Sequence, residues 1–496
     1  MRGYPMLAKV KSNNVAVTLF SLARDTFVYL AGIATIGLGN FILVPIYTRY
    51  LAPVEFGVYS LVDVSILILV TVTQLGFGVS YLKWFADIEP FRRGELLGST
   101  LVVGALASII GGVLLTLAVA SPLGERWLQT GDRGFAWTLL PLVVLENLQG
   151  LLLNDLRARR RAAAFSVSAV ARLLAIVGAS LWFVVVQKQG VMGVFTGRLV
   201  GNVIGILPMA TFCLRCITLR PTWSIVKSMV RYGLPLVWSA LMAMMLDVSG
   251  RYFLIHYSTL EQVGFYGAAI KIANIFQMLI NQPFGVAWGG LMFQIVKRPD
   301  ARLVYSKILA YIVVLSLTAA LILSLFTPTL FAIFATAAYF PAMVVFPLIL
   351  LVRAVNLMEY PTSIGIYLAG QTKWFMLIYS VGLAVNLLVN YALTPSYGIL
   401  GAAWSWLAAW MVIIGLMGWM GQRYYPLHYD WKLFLVPIIT WTFALLYQRD
   451  LMSFLANIDW PVQMLLALAV MLSMVVGLVK DFLITCRQNF LTNGLS

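Results

Sequence analysis

Acids and bases set inside long apolar runs are the residues of this chain that could do chemistry. In LMAMMLDVSGRYFLIHY, residues 241–257, Asp247 lies among Met242, Met244, Met245 and Leu246, and Arg251 follows four residues later. On a helix that offset places both side chains on one face, where an ion pair can form. Asp63 and Glu146 are further acids in apolar segments, and Arg172, Arg198, Lys271 and Arg353 are the bases. An ionisable group in hydrocarbon costs about 3 kcal/mol or more unless it faces a cavity or a partner, so each of these positions marks an internal surface. The four bases form a candidate ligand-binding set. Arg172 and Arg198, for which the sequence shows no paired acid, suit bidentate contact with phosphate oxygens, although Arg198 could also snorkel to the outer interface. Asp63, Glu146, Asp247 and Arg251 form a candidate gating or ion-binding set. Asp247 has two readings: a fixed pair with Arg251, or a group that takes up a proton or cation when the helix bends near Gly250.

The elements that carry these groups follow from composition. Apolar residues make up 61% of the 496 positions and charged residues 10%, with a mean hydropathy of +0.91. Apolar runs of about 20 residues, long enough to cross a bilayer as helices, occur about fourteen times, the first starting near Thr26 and the last near Pro461. The chain therefore reads as an all-α polytopic membrane protein. Basic clusters at Arg157, Arg159, Arg160 and Arg161, at Arg215, Arg220, Lys227 and Arg231, and at Lys297, Arg298, Arg302 and Lys307 all fall on one side. Positive charge is retained in the cytoplasm, which puts both termini there. The net charge of +16 is thus a topology signal and not a nucleic-acid surface.

The first apolar stretch is full length and lacks a small-residue cleavage site, so it reads as an uncleaved span. Cys213, Cys216 and Cys486 all face the reducing side, and the C-x-x-C pair has no second ligand pair, so neither a disulfide nor a metal site is expected. The chain also lacks a Walker-type phosphate loop and a nucleophile elbow, which argues against ATP hydrolysis, a cofactor or an enzyme.

An internal repeat organises the helices. YLAPVEFGVYSLVDVSILILVTVTQLGFGV aligns without gaps on YSTLEQVGFYGAAIKIANIFQMLINQPFGV, setting Tyr50 on Tyr257, Gly57 on Gly264, Tyr59 on Tyr266 and Phe77-Gly78-Val79 on Phe284-Gly285-Val286. The same register sets Arg24 opposite Arg231, at the cytoplasmic mouth of each half. The expected organisation is a cytoplasmic segment 1–25, a six-helix bundle 26–214, a basic linker 215–231, a second six-helix bundle 232–420, an accessory helix pair 431–485 and a tail 486–496. Six helices is an even number, so the halves are parallel repeats about an axis along the membrane normal, with a cavity between them. In this register Asp63 falls opposite Ile270, beside Lys271, and with Pro141 set on Pro347 Glu146 falls opposite Val352, beside Arg353, so each acid of the first half has a base near the equivalent place in the second. Either these charges approach across the axis, or each finds a partner within its own half.

RYLAPVEFGVYSL, RYGLPLVWSALMAMMLD, EQVGFYGAAIKIA and GIYLAGQTKWFMLIYSVGLAVNLLVNYALTPSYGILGAAWSWL, in this order and spacing, resemble the polysaccharide exporter family. That family includes the O-antigen and exopolysaccharide repeat-unit flippases of the multidrug, oligosaccharidyl-lipid and polysaccharide flippase superfamily. The resemblance implies alternating access that moves an undecaprenyl-diphosphate-linked oligosaccharide to the outer leaflet of a bacterial inner membrane. It also implies coupling to a proton or Na+ gradient, contact with membrane lipids, and work beside a polysaccharide polymerase and chain-length machinery. In relatives an acid of the seventh helix directly precedes a base, whereas here Gly250 precedes Arg251. Trp404, Trp406 and Trp410 with Asn386 and Asn390 offer weak sugar-binding chemistry. The rival readings are a cation-coupled drug or metabolite antiporter, in which buried carboxylates should dominate, and an integral-membrane glycosyltransferase or polymerase, which should show a large acidic outer loop.

Overall fold

The structure, a computed structural model, describes residues 42–128, 133–159, 161–213, 221–296, 298–371 and 373–427. Arg24, Cys216, most of the first expected span and the accessory pair 431–485 lie outside these residues. In lipid the backbone must satisfy its own hydrogen bonds, and every regular element among the described residues is accordingly helical.

The first half contains α1 (42–50), α2 (Pro53–Thr73), α3 (Phe77–Asp87), α4 (Arg93–Ala120), α5 (Pro122–Leu128), α6 (Leu139–Ala158), α7 (Ala162–Ser180) and α8 (Gly190–Cys213). The second contains α9 (Trp223–Tyr257), α10 (Leu260–Phe276), α11 (Gln282–Ile295), α12 (Ala301–Leu325), α13 (Thr327–Phe334), α14 (Phe346–Leu357), α15 (Glu359–Thr362), α16 (Ile364–Leu368), α17 (Lys373–Tyr397) and α18 (Ile399–Tyr424). Nine helical stretches among the described residues are long and apolar enough to cross a membrane. The two bent pairs, Trp223–Leu234 with Val237–Tyr257 and Ala337–Val344 with Phe346–Leu368, raise this to eleven. Each of the eleven matches one of the runs expected from sequence. The linker expected at 215–231 ends inside α9, whose helix begins at Trp223.

Helix starts and breaks have local causes. Pro53 opens α2, where its missing N–H costs nothing, and Glu55 accepts a hydrogen bond from the Ala52 amide at 2.8 Å. At the matching point of the repeat, Thr259 caps α10 by accepting from the Gln262 amide at 3.3 Å. The 45° bend of α9 falls between Leu234 and Val237, next to a proline that has no amide hydrogen for the helix. Gly250, by contrast, lies in the straight second segment of α9. A Cβ there would lie 3.2 Å from Ala402 and from the Tyr266 ring, so this glycine permits close packing inside an unbroken segment.

The halves meet through α2 and α10 at the end that the charge bias assigns to the outside. A Cβ on Gly57 would overlap the Leu260 carbonyl, and one on Gly264 would overlap the Pro53 carbonyl. Gly57 and Gly264 are repeat-related, and so are Pro53 and Leu260, so the crossing is symmetric about the axis between the halves. Thr48 Oγ1 donates to the Phe334 carbonyl at 2.6 Å, and the Tyr339 hydroxyl donates to the Leu51 carbonyl at 2.8 Å, adding polar ties at the same end. At the inner end the first segment of α9 reaches back onto the first half. Val226 and Met229 are buried with Phe77, Leu96 and Leu156, and Gly233 lies against Gly76.

Gly57→Val and Gly264→Val should each lower the thermal stability of the detergent-solubilised protein by about 1–3 kcal/mol, because the added atoms meet a backbone carbonyl. Gly415→Val, whose Cβ has nothing within 4 Å, should leave the melting temperature nearly unchanged. Equal losses in all three variants would contradict the tight outer crossing.

Candidate functional site

Two charged groupings lie at mid-depth between the halves. The first is built on α8, where Gly197, Gly201 and Gly205 recur every four residues and let α7 approach until a Cβ would touch the backbone of Ser180, Ile176 and Arg172. That approach brings Arg172 of α7 beside Asn202 of α8, with Arg172 Nε donating to Asn202 Oδ1 at 3.0 Å. One turn earlier on α8, Arg198 gives a two-pronged contact to Glu146 of α6. Its Nε reaches Oε1 at 2.6 Å and its Nη2 reaches Oε2 at 2.9 Å. The remaining arm, Nη1, donates to Asp63 Oδ1 of α2 at 2.6 Å. Asp63 Oδ2 then accepts from Lys271 Nζ of α10 at 2.8 Å, and Lys271 also donates to the Tyr59 hydroxyl at 2.8 Å. A line of charges therefore runs from the first half into the second.

Neutral side chains hold Glu146 in place. Asn147 Nδ2 donates to Thr73 Oγ1 at 2.9 Å and to Ser108 Oγ at 2.5 Å, tying α6 to α2 and α4. Gln149 Nε2 donates to the Asn202 carbonyl at 2.6 Å, tying α6 to α8.

The second grouping belongs to the second half. Arg353 of α14 reaches Asp247 Oδ2 of α9 at 3.4 Å through Nη1 and Asn274 Oδ1 of α10 at 3.1 Å through Nη2. Its guanidinium carbon stands 4.8 Å from the Trp406 ring centre. Arg251 has its Nη1 turned back to the carbonyl of Asp247, 3.4 Å away. The Nε atoms of both arginines are buried and have no hydrogen-bond partner among the described residues. The Asp247 side chain is 41% exposed and that of Arg353 is 9% exposed, so the carboxylate is the part of the grouping open to a ligand. Lys271 and Asn274, three residues apart on α10, link the two groupings.

Several pairings differ from those the sequence suggested. Asp63 and Lys271 do meet across the halves. Glu146 and Arg353 do not, because each has partners inside its own half. Arg172 and Arg198 are not unpaired bases. Arg198 is shared by two carboxylates and does not snorkel, and Arg172 Nη2 lies 4.0 Å from Glu146 in addition to its bond with Asn202. Asp247 and Arg251 share a helix face without an ion pair, since Arg353, positioned by Asn274 and Trp406, takes the carboxylate. Arg231 is exposed on the first segment of α9. Asn386 and Asn390 are buried and engaged with Ser249 and Thr394, and Trp406 and Trp410 are also buried. Only Trp404 of the proposed sugar-binding aromatics is exposed.

Tyr59, Asn202 and Asn274 are site members that the charge pattern alone passes over. Tyr59 carried a signal, its place in the repeat opposite Tyr266. Asn202 carried another, its position four residues after Arg198. Among the described residues no group of three or more His, Cys, Asp or Glu could hold a metal.

Comparison with known proteins places this geometry. The family described as Polysaccharide biosynthesis protein matches residues 22–296, while no curated protein matches the sequence. Among solved structures, the chain is similar to the lipid II flippase MurJ in an inward closed conformation, with a TM-score of 0.71 at 11% identity over 94% of this chain and 100% of that one. It is also similar to a multidrug resistance MATE family transporter of the MOP superfamily. The inward-facing form gives a TM-score of 0.59 at 16% identity over 79% of this chain and 94% of that one. The outward-facing form gives 0.54 at 17% identity, covering 81% and 94%.

Arg198→Ala should destabilise the protein by about 3–5 kcal/mol, because two buried carboxylates lose their common partner. Arg198→Lys should recover part of that loss, since an ammonium keeps the charge without the fork. Thermal unfolding in detergent reads both, and an Arg198→Ala protein as stable as the parent would show that the lattice contributes nothing.

Proposed function

This chain belongs to the polysaccharide biosynthesis protein family, and from that premise we propose that it is a flippase for an undecaprenyl-diphosphate-linked oligosaccharide repeat unit. In this reading it carries the unit from the cytoplasmic to the outer leaflet of a bacterial inner membrane by alternating access, with both termini in the cytoplasm. The glycolipid feeds surface polysaccharide synthesis, and a proton or Na+ gradient drives the cycle beside the polymerase and chain-length machinery.

The carrying observation is the charge balance between the halves. Among the described residues, Arg172, Arg198, Lys271, Arg251 and Arg353 face three carboxylates, Asp63, Glu146 and Asp247, an excess of two positive charges. A diphosphate diester carries two negative charges and has the oxygen geometry that guanidinium forks match. The excess is not spread evenly. Arg198 is engaged through all three nitrogens by its carboxylates, whereas Arg353 holds one partly exposed acid, Arg251 reaches only the backbone carbonyl of Asp247, and each keeps an Nε donor idle among the described residues. The anion site therefore centres on Arg251 and Arg353, with Asp247 occupying it in the absence of cargo. Arrival of a phosphate displaces the carboxylate, which is then free to take up a proton or a cation. Arg172 and Arg198, first candidates by sequence, serve this reading as the frame that positions Asp63 and Lys271. The same balance speaks against a cation-binding antiporter, whose cavity should carry excess negative charge.

Arg353→Ala and Arg251→Ala should each weaken binding of the diphosphate lipid by about 10- to 100-fold, the equivalent of one charge-assisted contact, with protein level unchanged. Asp247→Asn removes the competing carboxylate and should tighten binding while weakening the dependence of flipping on an imposed ion gradient. Reconstituted vesicles with a fluorescent glycolipid measure both quantities. Unchanged binding in both arginine variants would refute the assignment.

A further inference from the structure

Glu359 is a carboxylate that the cavity reading leaves unused. It opens α15, where the span entered at Ala337 breaks into the short helices α14, α15 and α16. The Tyr379 hydroxyl of α17 donates to Glu359 Oε1, and Tyr379 in turn sits edge-on to Trp410, 6.3 Å between ring centres. The carboxylates of Asp63, Glu146, Asp155 and Asp247 each have an arginine or lysine nitrogen within 4.0 Å. Glu359 has none among the described residues.

The described residues around it supply no base to compensate a charge. Tyr360 and Tyr367, on its own segment, are phenols that stay neutral at physiological pH. Packed against α15 are α12, with Arg302, Tyr305, Lys307 and Tyr311, and α18, with Arg423 and Tyr424. No guanidinium or ammonium of these elements comes within 4.0 Å of Glu359. Arg353 of α14 is engaged with Asp247 and Asn274. An ionised carboxylate without a cation in a spanning segment is expensive, and a proton removes that cost.

The segment is also mechanically connected. A Cβ on Gly365 would overlap the Gly421 carbonyl, and one on Gly421 would lie 2.7 Å from the Thr362 carbonyl, so α15 and α16 touch the backbone of α18 directly. The Tyr360 hydroxyl sits against Gly285 of α11, and its ring centre is 5.6 Å from that of Phe284. Between α10 and α11 runs the π-helical segment Gln277–Asn281, whose Asn281 Nδ2 donates to the Arg353 carbonyl at 3.3 Å and to Asn356 Oδ1 at 3.2 Å.

We propose that Glu359, with Tyr379 as its hydrogen-bond partner, is a proton-binding site of the second half that is protonated in the conformation described and sets the position of α11 through Tyr360. Loss of the proton leaves a charge with the Tyr379 hydroxyl as its donor and no cation among the described residues, so water is the favourable solvent for it. The segment then moves toward the inner aqueous face, Tyr360 leaves Gly285, and α11 loosens. The inference deepens the ion-coupled part of the flippase reading by naming the proton and its carrier. It rests on that reading only for its purpose, not for its test.

The test uses the purified full chain in detergent and no cargo, so its failure and that of the glycolipid assignment are separate results. Infrared difference spectra of the parent minus Glu359→Gln are recorded from acid to alkaline pH. The C=O stretch of a protonated carboxylic acid should persist at neutral pH in the parent and be missing from the variant. Glu359→Gln mimics the protonated acid in shape and hydrogen bonding, so it should fold. In a background with the three native cysteines replaced by alanine, thiol labelling of Gln282→Cys on α11 should rise severalfold with pH, and the rise should vanish when Glu359→Gln is added. Absence of a Glu359-dependent carboxylic acid band at neutral pH would overturn the proton site. Labelling with the same pH dependence in both backgrounds would overturn its link to α11.

Discussion

One guanidinium settles the arrangement of the first half. Arg198 bonds Glu146 with two nitrogens and Asp63 with the third, so three helices, α2, α6 and α8, are fixed around a single planar group. A lysine has no such fork and could not hold two carboxylates in fixed directions. The dependence runs outward from there. Asp63, held on one side by Arg198, has one oxygen left for Lys271, and Lys271 sets the register of α10 against α2. In a lipid environment the hydrophobic effect does little to bring helices together, so close packing and polar ties must do it. The glycine ridge of α8 supplies the close packing, and Arg198 supplies the tie.

The second half is assembled differently. Its polar ties are mostly neutral, running from Ser249 to Asn386, Asn390 and Thr394 and from Asn281 to Asn356. Its arginines are incompletely satisfied, and its helices are broken, with π-helical turns at Gln277–Asn281 and short pieces from Phe346 to Leu368. The contrast lies in the charged groups between the halves: Arg198 is held by two carboxylates, whereas Arg251 and Arg353 each keep a buried Nε without a partner among the described residues. Both the proposed anion site and the proposed Glu359 site lie in the second half.

Much of this was legible in the residue order. The repeat register set Asp63 beside Lys271, and the structure joins them. The same register paired Gly57 with Gly264, and these two glycines form the symmetric crossing of α2 and α10. Apolar run lengths gave each span among the described residues. Partner choice was harder to read. Glu146 had Arg172, Arg198 and Arg353 as possible partners, and the choice depends on how closely α7 and α8 approach, which in turn depends on three glycines that do not look like site residues. Asp247 and Arg251 have the right spacing for a pair, but spacing does not reveal that a third group, Arg353, is held in a better position by Asn274 and Trp406. Glu359 is inconspicuous because the adjacent EYPTS reads as a helix end, and only the fold shows that this end is enclosed by α12, α17 and α18.

The Asp63–Lys271 contact bridges the two halves, and it has a consequence for the membrane as a permeability barrier. Parting α2 from α10 takes both the Asp63 carboxylate and the Tyr59 hydroxyl, which are carried together on α2, away from Lys271, and an ammonium left without either costs on the order of 3 kcal/mol in such surroundings. In the flippase reading, this cost favours the closed outer end when no cargo is bound. A cargo that brings its own negative charge offers Lys271 a replacement partner and removes that penalty. In that reading the ion pair is a bolt against idle turnover, and it would keep ions from leaking through the protein when there is nothing to carry.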